Sequence, residues 1–209
     1  THAFISVSQA NLDEARIRGI VRPAHRTEVI RSGMDLGALR AAQNSRRSKR
    51  AELGFSPEDE VVLCIANFKP QKDPLTMIRA FQEVAKERKA TLLYAGDGPL
   101  RADVEAEIKR LGLSERVRLL GWRRDIFELL AACDLVALSS IFEGLPRSAV
   151  QAVARRRPFV GTRVDGTPEI IRDGKNGYLV PPKNPQALAQ AMKKALVVRP
   201  IDPQDELRI

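Results

Sequence analysis

From about residue 60 onward, short apolar runs alternate with amphipathic segments, and this alternation constrains the fold more than any other feature of the chain. Each run is apolar throughout rather than at every second position, which indicates strands covered on both faces of a parallel sheet. Strands that alternate with helices predict a doubly wound α/β fold of Rossmann-like type. The predicted strands are 61–65, 91–95, 117–120, 134–138, 158–162 and 178–180.

The intervening segments carry helix signals. Apolar residues recur at a helical period over 100–111, and Asp73 followed by Pro74 is typical of a helix start. A further helix is predicted over 146–156, with Pro146 in its first turn, where a missing N–H costs no hydrogen bond.

The pattern differs before residue 53. Residues 3–19 suggest a strand, a helix capped by Ser8 and a stop at Gly19, and the Arg-rich stretch 41–53 suggests a surface helix or connector. We therefore expect 1–52 to be the end of an N-terminal unit and a crossover, 53–199 to be the main domain, and 200–209 to be an irregular tail. Because the chain begins with Thr rather than Met, we interpret it as a fragment.

Composition narrows the protein class. The 209 residues are 44% hydrophobic and 29% charged, with no apolar run long enough to cross a bilayer and no signal-peptide pattern. Cys64 and Cys133 lie in apolar surroundings and predict buried thiols rather than a disulfide or metal ligands. A cytoplasmic location is expected.

The net charge of +9 raises the question of an anionic partner. Basic clusters at 46–50 and 155–157 predict either a solvated face or a surface that touches an anionic membrane. Aromatic residues make up only 5% of the chain and do not interleave with the basic ones, so nucleic acid is not expected as a partner.

Polar or glycine-rich loops follow five of the predicted strands. Ligands of open parallel sheets bind beyond the carboxyl ends of the strands, so these loops predict one cleft. In order, the loops read ANFKPQKD, GDGP, GWRRD, SSIFEGLP and RVDGTPE.

The loop before the helix at 146–156 predicts an anion site. The free amides of Gly144, Leu145 and Arg147 would point at the anion with the positive end of the helix dipole, and a glycine permits close approach. Lys72, with Lys69 as a further candidate, would add a cation. Together they suggest a diphosphate.

Glu143 would be costly beside a phosphate unless it accepts hydrogen bonds from the neutral hydroxyls of a sugar or ribose. Gln151 lies one helical turn beyond Arg147 and can share its face. The alternatives are ordinary: a lone glutamate is more often a solvated cap, and the KPQK lysines and the GDGP turn are more often surface features. Their joint position at one edge favours a site. His2 and His25 are too few and too scattered for a metal site.

Taken in order, these segments resemble a known family. ANFKPQKDPLTMIRAF, LLYAGDGPLR, LLAACDLVALSS with EGLP, and PFVGTRVDGTPEIIRDGKNGYLVPP resemble the C-terminal, donor-binding half of a GT-B-fold retaining glycosyltransferase of group 1, family four. The resemblance covers about residues 3–197. It implies transfer of a hexose from a nucleotide diphosphate sugar to a glycan or lipid-linked acceptor, in polysaccharide or glycolipid synthesis, without a metal or other cofactor.

The resemblance also implies roles for single residues. Lys72 and the backbone at Gly144 and Leu145 would hold the phosphates, and Glu143 would bind the sugar, so Lys72 and Glu143 are the candidate catalytic residues. Gln151 would face the ribose. The whole implied donor site is Asn67, Lys72, Gly96, Gly121, Trp122, Glu143, Gly144, Leu145, Pro146, Arg147 and Gln151.

Two positions depart from the family pattern. Asn67 stands where an arginine is frequent, and Gln151 ends a motif that usually ends in a second glutamate. These departures favour one alternative, a nucleotide-sugar-binding module without catalysis. A second alternative is a related sugar-nucleotide epimerase, for which the sequence shows no acid/base pair. Because the acceptor site belongs to the family's N-terminal domain, we expect this chain alone to bind donor weakly and to transfer little.

Overall fold

The computed structural model describes residues 3–34, Gly37, Leu39 and 42–197. The predicted tail at 200–209 lies outside these residues, as does part of the predicted crossover. None of the helices in the described ranges is long and apolar enough to cross a lipid bilayer.

The N-terminal unit is a small β–α–β arrangement. Strand β1 (Ala3–Ser6) pairs in parallel with β2 (Arg26–Val29), and helix α1 (Gln9–Ile17) connects them. The Ser8 hydroxyl caps the helix by accepting a hydrogen bond from the amide of Asn11 at 3.2 Å. Gly19 follows with a φ of 69°, a conformation in which glycine is not strained. The predicted strand, cap and stop are confirmed.

The main sheet has six parallel strands in the order β5-β4-β3-β6-β7-β8. All the predicted strands are confirmed, each to within one residue at either end. The strand order reverses between β3 and β6, and open parallel sheets bind ligands beyond the carboxyl ends of the strands at such a point. The strands are β3 (Glu60–Ile65), β4 (Ala90–Ala95), β5 (Val117–Gly121), β6 (Leu135–Leu138), β7 (Phe159–Thr162) and β8 (Gly177–Val180).

Helices cover both faces of this sheet. Four consecutive residues of β3, from Val61 to Cys64, are fully buried although neighbouring side chains point to opposite faces. Among the helices, α3 packs against α4 and α8, whereas α5 packs against α2. The helices are α2 (Arg46–Glu52), α3 (Pro74–Glu87), α4 (Arg101–Arg110), α5 (Ile126–Ala132), α6 (Arg147–Ala154), α7 (Thr167–Ile170) and α8 (Pro185–Val197).

The start of α6 corrects one prediction. Pro146 is not in the first turn but caps the helix, with an extended ψ of 109°, while its carbonyl accepts from the amide of Ala149 at 3.0 Å. The helix ends at Ala154 rather than at residue 156, because Arg156 has a left-handed φ of 52°. The predicted start of α3 is confirmed, since the Asp73 carboxylate accepts from the amide of Thr76 at 3.4 Å.

The basic clusters do more than cover a solvated face. Arg46 donates to the carbonyls of Ala131, Ala132 and Cys133 at 2.8–3.0 Å, and so caps the C-terminus of α5. Arg50 donates to the Ala132 carbonyl at 2.7 Å and is 3% exposed. The prediction of a surface helix over 41–53 is therefore wrong for Arg50, which lies beneath α5.

Candidate functional site

The loops that follow β3 and β6 are hydrogen-bonded to each other at the carboxyl edge of the sheet. The amide of Ile141 donates to the carbonyl of Gln71 at 2.8 Å, and the Gln71 side chain donates to the carbonyl of Phe142 at 3.0 Å. The buried Ser139 hydroxyl donates to the carbonyl of Lys72 at 2.9 Å. Residues 71–72 and 139–142 therefore form one connected edge.

A partly buried ion pair lies on this edge. Lys72 Nζ is 2.5 Å from Glu143 Oε1, and the Ser140 hydroxyl donates to the same oxygen at 2.6 Å. Glu143 is 7% exposed, so the alternative that it is a solvated cap is wrong. The lysine answers the electrostatic objection to a carboxylate here, because its charge neutralises that of Glu143.

This ion pair restricts which ligands the site can take. An ion pair out of water is costly to break from one side, at about 3 to 5 kcal/mol, because the remaining charge loses its partner. A ligand that draws Lys72 away with an anion must therefore also offer donors to Glu143. Hydroxyl groups close to a phosphate satisfy both demands.

The amides that lead into α6 form what we call the amide cradle: Gly144, Leu145 and Arg147. Within the described part of the chain, these N–H groups have no hydrogen-bond partner, and the positive end of the α6 dipole lies behind them. The carbonyl of Gly144 accepts from the amide of Gly166 at 3.1 Å, which fixes the loop. Such an arrangement can bind an anion.

Three residues that hold this site were not predicted. Ser139 and Ser140 are fully buried, and the carbonyl of Ser140 accepts from the Thr162 hydroxyl at 2.6 Å. Asp165 accepts from the amide of Glu143 at 2.5 Å. The position of Ser139 and Ser140 directly after an apolar strand was a sequence signal that could have predicted their part in the site. Nothing in the sequence indicated that a carboxylate 22 residues downstream would be the partner of Glu143.

Comparison with known proteins gives the family of this fold and site. The family model described as "Glycosyl transferases group 1" matches residues 59–197. The chain belongs to the group 1 glycosyltransferases. The sequence-based expectations of family and fold class are therefore confirmed, and the described domain is the C-terminal one of that family.

Similar proteins support the assignment. The chain is 35% identical over 182 residues to a D-inositol 3-phosphate glycosyltransferase of Mycobacterium sp. (strain KMS), covering 83% of this chain and 38% of that one. It is 28% identical over 156 residues to the Escherichia coli UDP-Gal:alpha-D-GlcNAc-diphosphoundecaprenol alpha-1,3-galactosyltransferase, covering 73% and 40%.

Among solved structures, Anabaena HepE in complex with UDP is similar, with a TM-score of 0.84 and 30% identity over 94% of this chain and 54% of HepE. HepE was also solved with UDP-glucose. The chain thus spans well under two thirds of the length of these three relatives.

Within this glycosyltransferase domain, the remaining predicted residues surround the ion pair less closely. Gly96 donates its N–H to the carbonyl of Gly121 at 2.8 Å, and a Cβ on Gly96 would lie 2.0 Å from the carbonyl oxygen of Ala66. Trp122 is 70% exposed. Gly96 and Gly121 therefore hold the ends of β3, β4 and β5 together, and Trp122 is available at their rim.

Three polar side chains complete the predicted set. Asn67 and Gln151 are half-buried and Arg147 is exposed. In the described part of the glycosyltransferase domain, none of the three side chains has a hydrogen-bond or ion-pair partner. Their roles toward a donor stay predictions.

The two thiols take no part in this site. Burial raises the pKa of Cys64 to about 12 and that of Cys133 to about 12. Both are free and fully buried, which confirms the prediction of inert core residues.

Proposed function

We propose that this chain is the donor-binding domain of a retaining hexosyltransferase that uses a nucleotide diphosphate sugar. The observation that carries the proposal is the partly buried Lys72–Glu143 pair at 2.5 Å beside the amide cradle. A sugar diphosphate offers an anion for the lysine and the amides, and hydroxyl donors for the carboxylate. An anion without hydroxyl groups would leave Glu143 without a hydrogen-bond donor.

Binding divides the donor among neighbouring loops. The diphosphate lies on the amide cradle and draws Lys72 from Glu143, which then accepts from hydroxyls of the sugar. Gln151 faces the ribose, and the loop at Gly121 and Trp122 borders the base. UDP is the nucleotide to test first, because HepE was solved with UDP and with UDP-glucose.

Transfer then proceeds by front-face displacement. The acceptor hydroxyl oxygen bonds to the anomeric carbon on the face from which the diphosphate leaves, the bond from that carbon to the diphosphate breaks, and the hydroxyl proton passes to the departing phosphate oxygen. Lys72 and the α6 dipole stabilise the negative charge that develops on the leaving group. Glu143 orients the sugar, and we propose that this charge stabilisation needs no metal.

The acceptor proposed is a glycan or a lipid-linked sugar in polysaccharide or glycolipid assembly. The name of the Escherichia coli relative gives a diphosphoundecaprenol-linked acceptor for that protein. A contact with an anionic membrane would rely on exposed cations such as Arg47, because Arg46 and Arg50 are committed to the C-terminus of α5.

A second candidate is a nucleotide-sugar-binding module without catalysis. The observation that favours it is that Asn67 and Gln151 are both neutral and that their side chains make no hydrogen bond with the described residues. Turnover separates the candidates. Transfer should appear once the chain is joined to the N-terminal half of a relative such as HepE; binding without transfer in that chimera would favour the module.

Calorimetric titration with UDP and UDP-glucose tests the binding site. Lys72→Ala should weaken both ligands about 10-fold to 100-fold, since it removes a charged hydrogen bond to phosphate. Glu143→Gln should weaken UDP-glucose more than UDP, because only the former carries the sugar. Lys109→Ala, an exposed lysine on α4, is the matched control.

Thermal unfolding of each variant shows whether it folds. If folded Lys72→Ala and Glu143→Gln proteins bind both ligands as the wild type does, the proposed site is wrong.

A further inference from the structure

Residues 165–169 lie between the amide cradle and the N-terminal unit, and we call this segment the strap. It runs from the loop after β7 into the short helix α7. One end of the strap contacts the Glu143 loop, and the other contacts α1 and Arg31. The strap thus joins two parts of the chain that belong to different sheets.

At the cradle end, the strap makes two hydrogen bonds. Asp165 Oδ2 accepts from the amide of Glu143 at 2.5 Å, and the amide of Gly166 donates to the carbonyl of Gly144 at 3.1 Å. Together these bonds fix the peptide group before residue 143 and the one after residue 144. They determine where the Glu143 side chain begins and how the cradle amides are aimed.

At the other end, Glu169 holds the N-terminal unit. Its Oε1 accepts from the amide of Ala10 at 2.9 Å, and its Oε2 accepts from Arg31 at 3.0 Å. Ala10 lies in the first turn of α1, where a carboxylate is favoured by the helix dipole. The side chains of Glu169 and Arg31 are 18% and 48% exposed, so both contacts lie at the surface of the protein.

Close packing supports the hydrogen bonds. A Cβ on Gly144 would lie 2.8 Å from Val7 Cγ2, and one on Gly166 would lie 2.8 Å from Ser8 Cβ. Asn11 also donates to the carbonyl of Glu143 at 3.4 Å. The N-terminal unit and the cradle loop therefore cannot shift independently without losing contacts.

Asp165 has a backbone conformation that its residue type rarely adopts. Its φ of 41° is left-handed, a region where glycine would be unstrained. A glycine could form this turn but could not accept from the amide of Glu143. The hydrogen bond to the amide of Glu143 is therefore the contribution of Asp165 that a glycine could not replace.

We propose that Asp165 and Glu169 are positioning residues of the donor site, which set the aim of the amide cradle according to how the N-terminal unit is docked. The inference rests on the proposed donor-binding function. Because coupling between two sites is reciprocal, a ligand on the cradle also tightens the docking of the N-terminal unit. Neither residue needs to touch the donor for this effect.

Measurements of UDP affinity test the role of Asp165, at the cradle end of the strap. Asp165→Gly keeps the left-handed turn and removes the acceptor, so it should weaken UDP about 3-fold to 10-fold. Asp165→Asn, which keeps an acceptor oxygen and tolerates this φ, should restore most of the affinity. Equal affinity in the wild type and Asp165→Gly would overturn the proposal.

Variants of Glu169, at the other end of the strap, test the coupling more directly because this residue lies farther from the cradle. Glu169→Ala should also weaken UDP about 3-fold to 10-fold, and the double variant Asp165→Gly/Glu169→Ala should lose less than the product of the two single losses, because both act through the strap. Glu83→Ala, which breaks an exposed ion pair with Lys86, should leave the affinity unchanged. Independent, multiplying losses would show that no strap couples them.

Hydrogen exchange measured by NMR separates this inference from the proposed function. The Glu143 amide, bonded to Asp165, should exchange faster in Glu169→Ala than in wild type without any ligand. If UDP fails to bind the wild type, the proposed function fails and this exchange rate alone decides on the strap. Unchanged exchange in Glu169→Ala would overturn the strap in either case.

Discussion

At the scale of single residues, the site depends on a carboxylate that the fold keeps out of water. One carboxylate oxygen of Glu143 accepts hydrogen bonds from Lys72 and Ser140, and the backbone amide of Glu143 donates to Asp165. Each partner comes from a different loop, so the position of Glu143 reports the relative placement of three strand ends. In the proposed function, a glutamate held in this way would exchange Lys72 for sugar hydroxyls without leaving its place.

Gly96 sets how closely two of those strand ends approach. Gly96→Ala would place a methyl group 2.0 Å from the carbonyl oxygen of Ala66, at a φ of 151°. Since backbone must move to accept it, we expect the free energy of unfolding to fall by about 3 kcal/mol. Urea unfolding of the purified variant measures the loss.

The control for Gly96 is another glycine with positive φ. Gly112 has a φ of 69° and open space around a built Cβ, so Gly112→Ala should cost only backbone strain, about 1 kcal/mol. Equal losses for the two variants would show that conformation, and not the approach to Ala66, is the reason for Gly96.

At the scale of secondary-structure elements, local patterns were sufficient for the strands and long-range contacts were not predictable. The strands are continuous apolar runs, and the pattern of burial on both faces follows directly from them. Pro146 was misplaced by one residue because a cap and a first turn tolerate proline almost equally. The capping of α5 by Arg46 spans 85 residues, a separation at which no local period carries information.

Glu107 links two helices and makes their packing pH-dependent. Its carboxylate accepts from Arg110 on the same helix and from Arg79 on α3, and these hydrogen bonds lower its pKa from 4.5 to about 2. The folded-state pKa is the lower one. The contribution of Glu107 to the free energy of unfolding is therefore complete above pH 4.5 and is lost as the pH falls toward 2.

Glu107→Gln should therefore lower the free energy of unfolding by about 1 kcal/mol at pH 7, and the difference from wild type should shrink at pH 3. Urea unfolding at pH 7, 5 and 3 gives both values. Glu105→Gln, on the same helix in an exposed pair with Arg101, is the control and should change stability by less. A deficit that stays constant with pH would mean that packing, rather than charge, explains the effect.

At the scale of the whole molecule, the sheet and its loops form one core, and a second small core lies under α1. The sequence was enough to predict that the loops of the candidate site share one sheet edge, because parallel topology places all carboxyl ends together. It was not enough to predict the strap, because Asp165 and Glu169 find partners 22 and 159 residues away. Only the three-dimensional arrangement shows that the N-terminal unit and the cradle share these contacts.

The reactivity of the two buried thiols can be used to measure the unfolding of this core. Cys64 lies in β3 and Cys133 just before β6, the two neighbouring strands at the centre of the sheet, and both are fully buried. Since burial raises both pKa values to about 12, neither thiol is ionised at neutral pH in the folded chain. A disulfide reagent should therefore label both at one common rate, at least about a thousandfold slower than in urea.

The single variants Cys64→Ala and Cys133→Ala give the rate of each thiol separately. Equal rates indicate global unfolding, whereas a faster Cys133 would show that α5 and its arginine cap open before the sheet does. If UDP binds across the loops after β3 and β6, saturating UDP should slow both rates by the same factor, because a ligand of the folded state alone stabilises the whole cooperative unit. A UDP effect confined to Cys64 would instead mean that β3 and its loop open independently of β6.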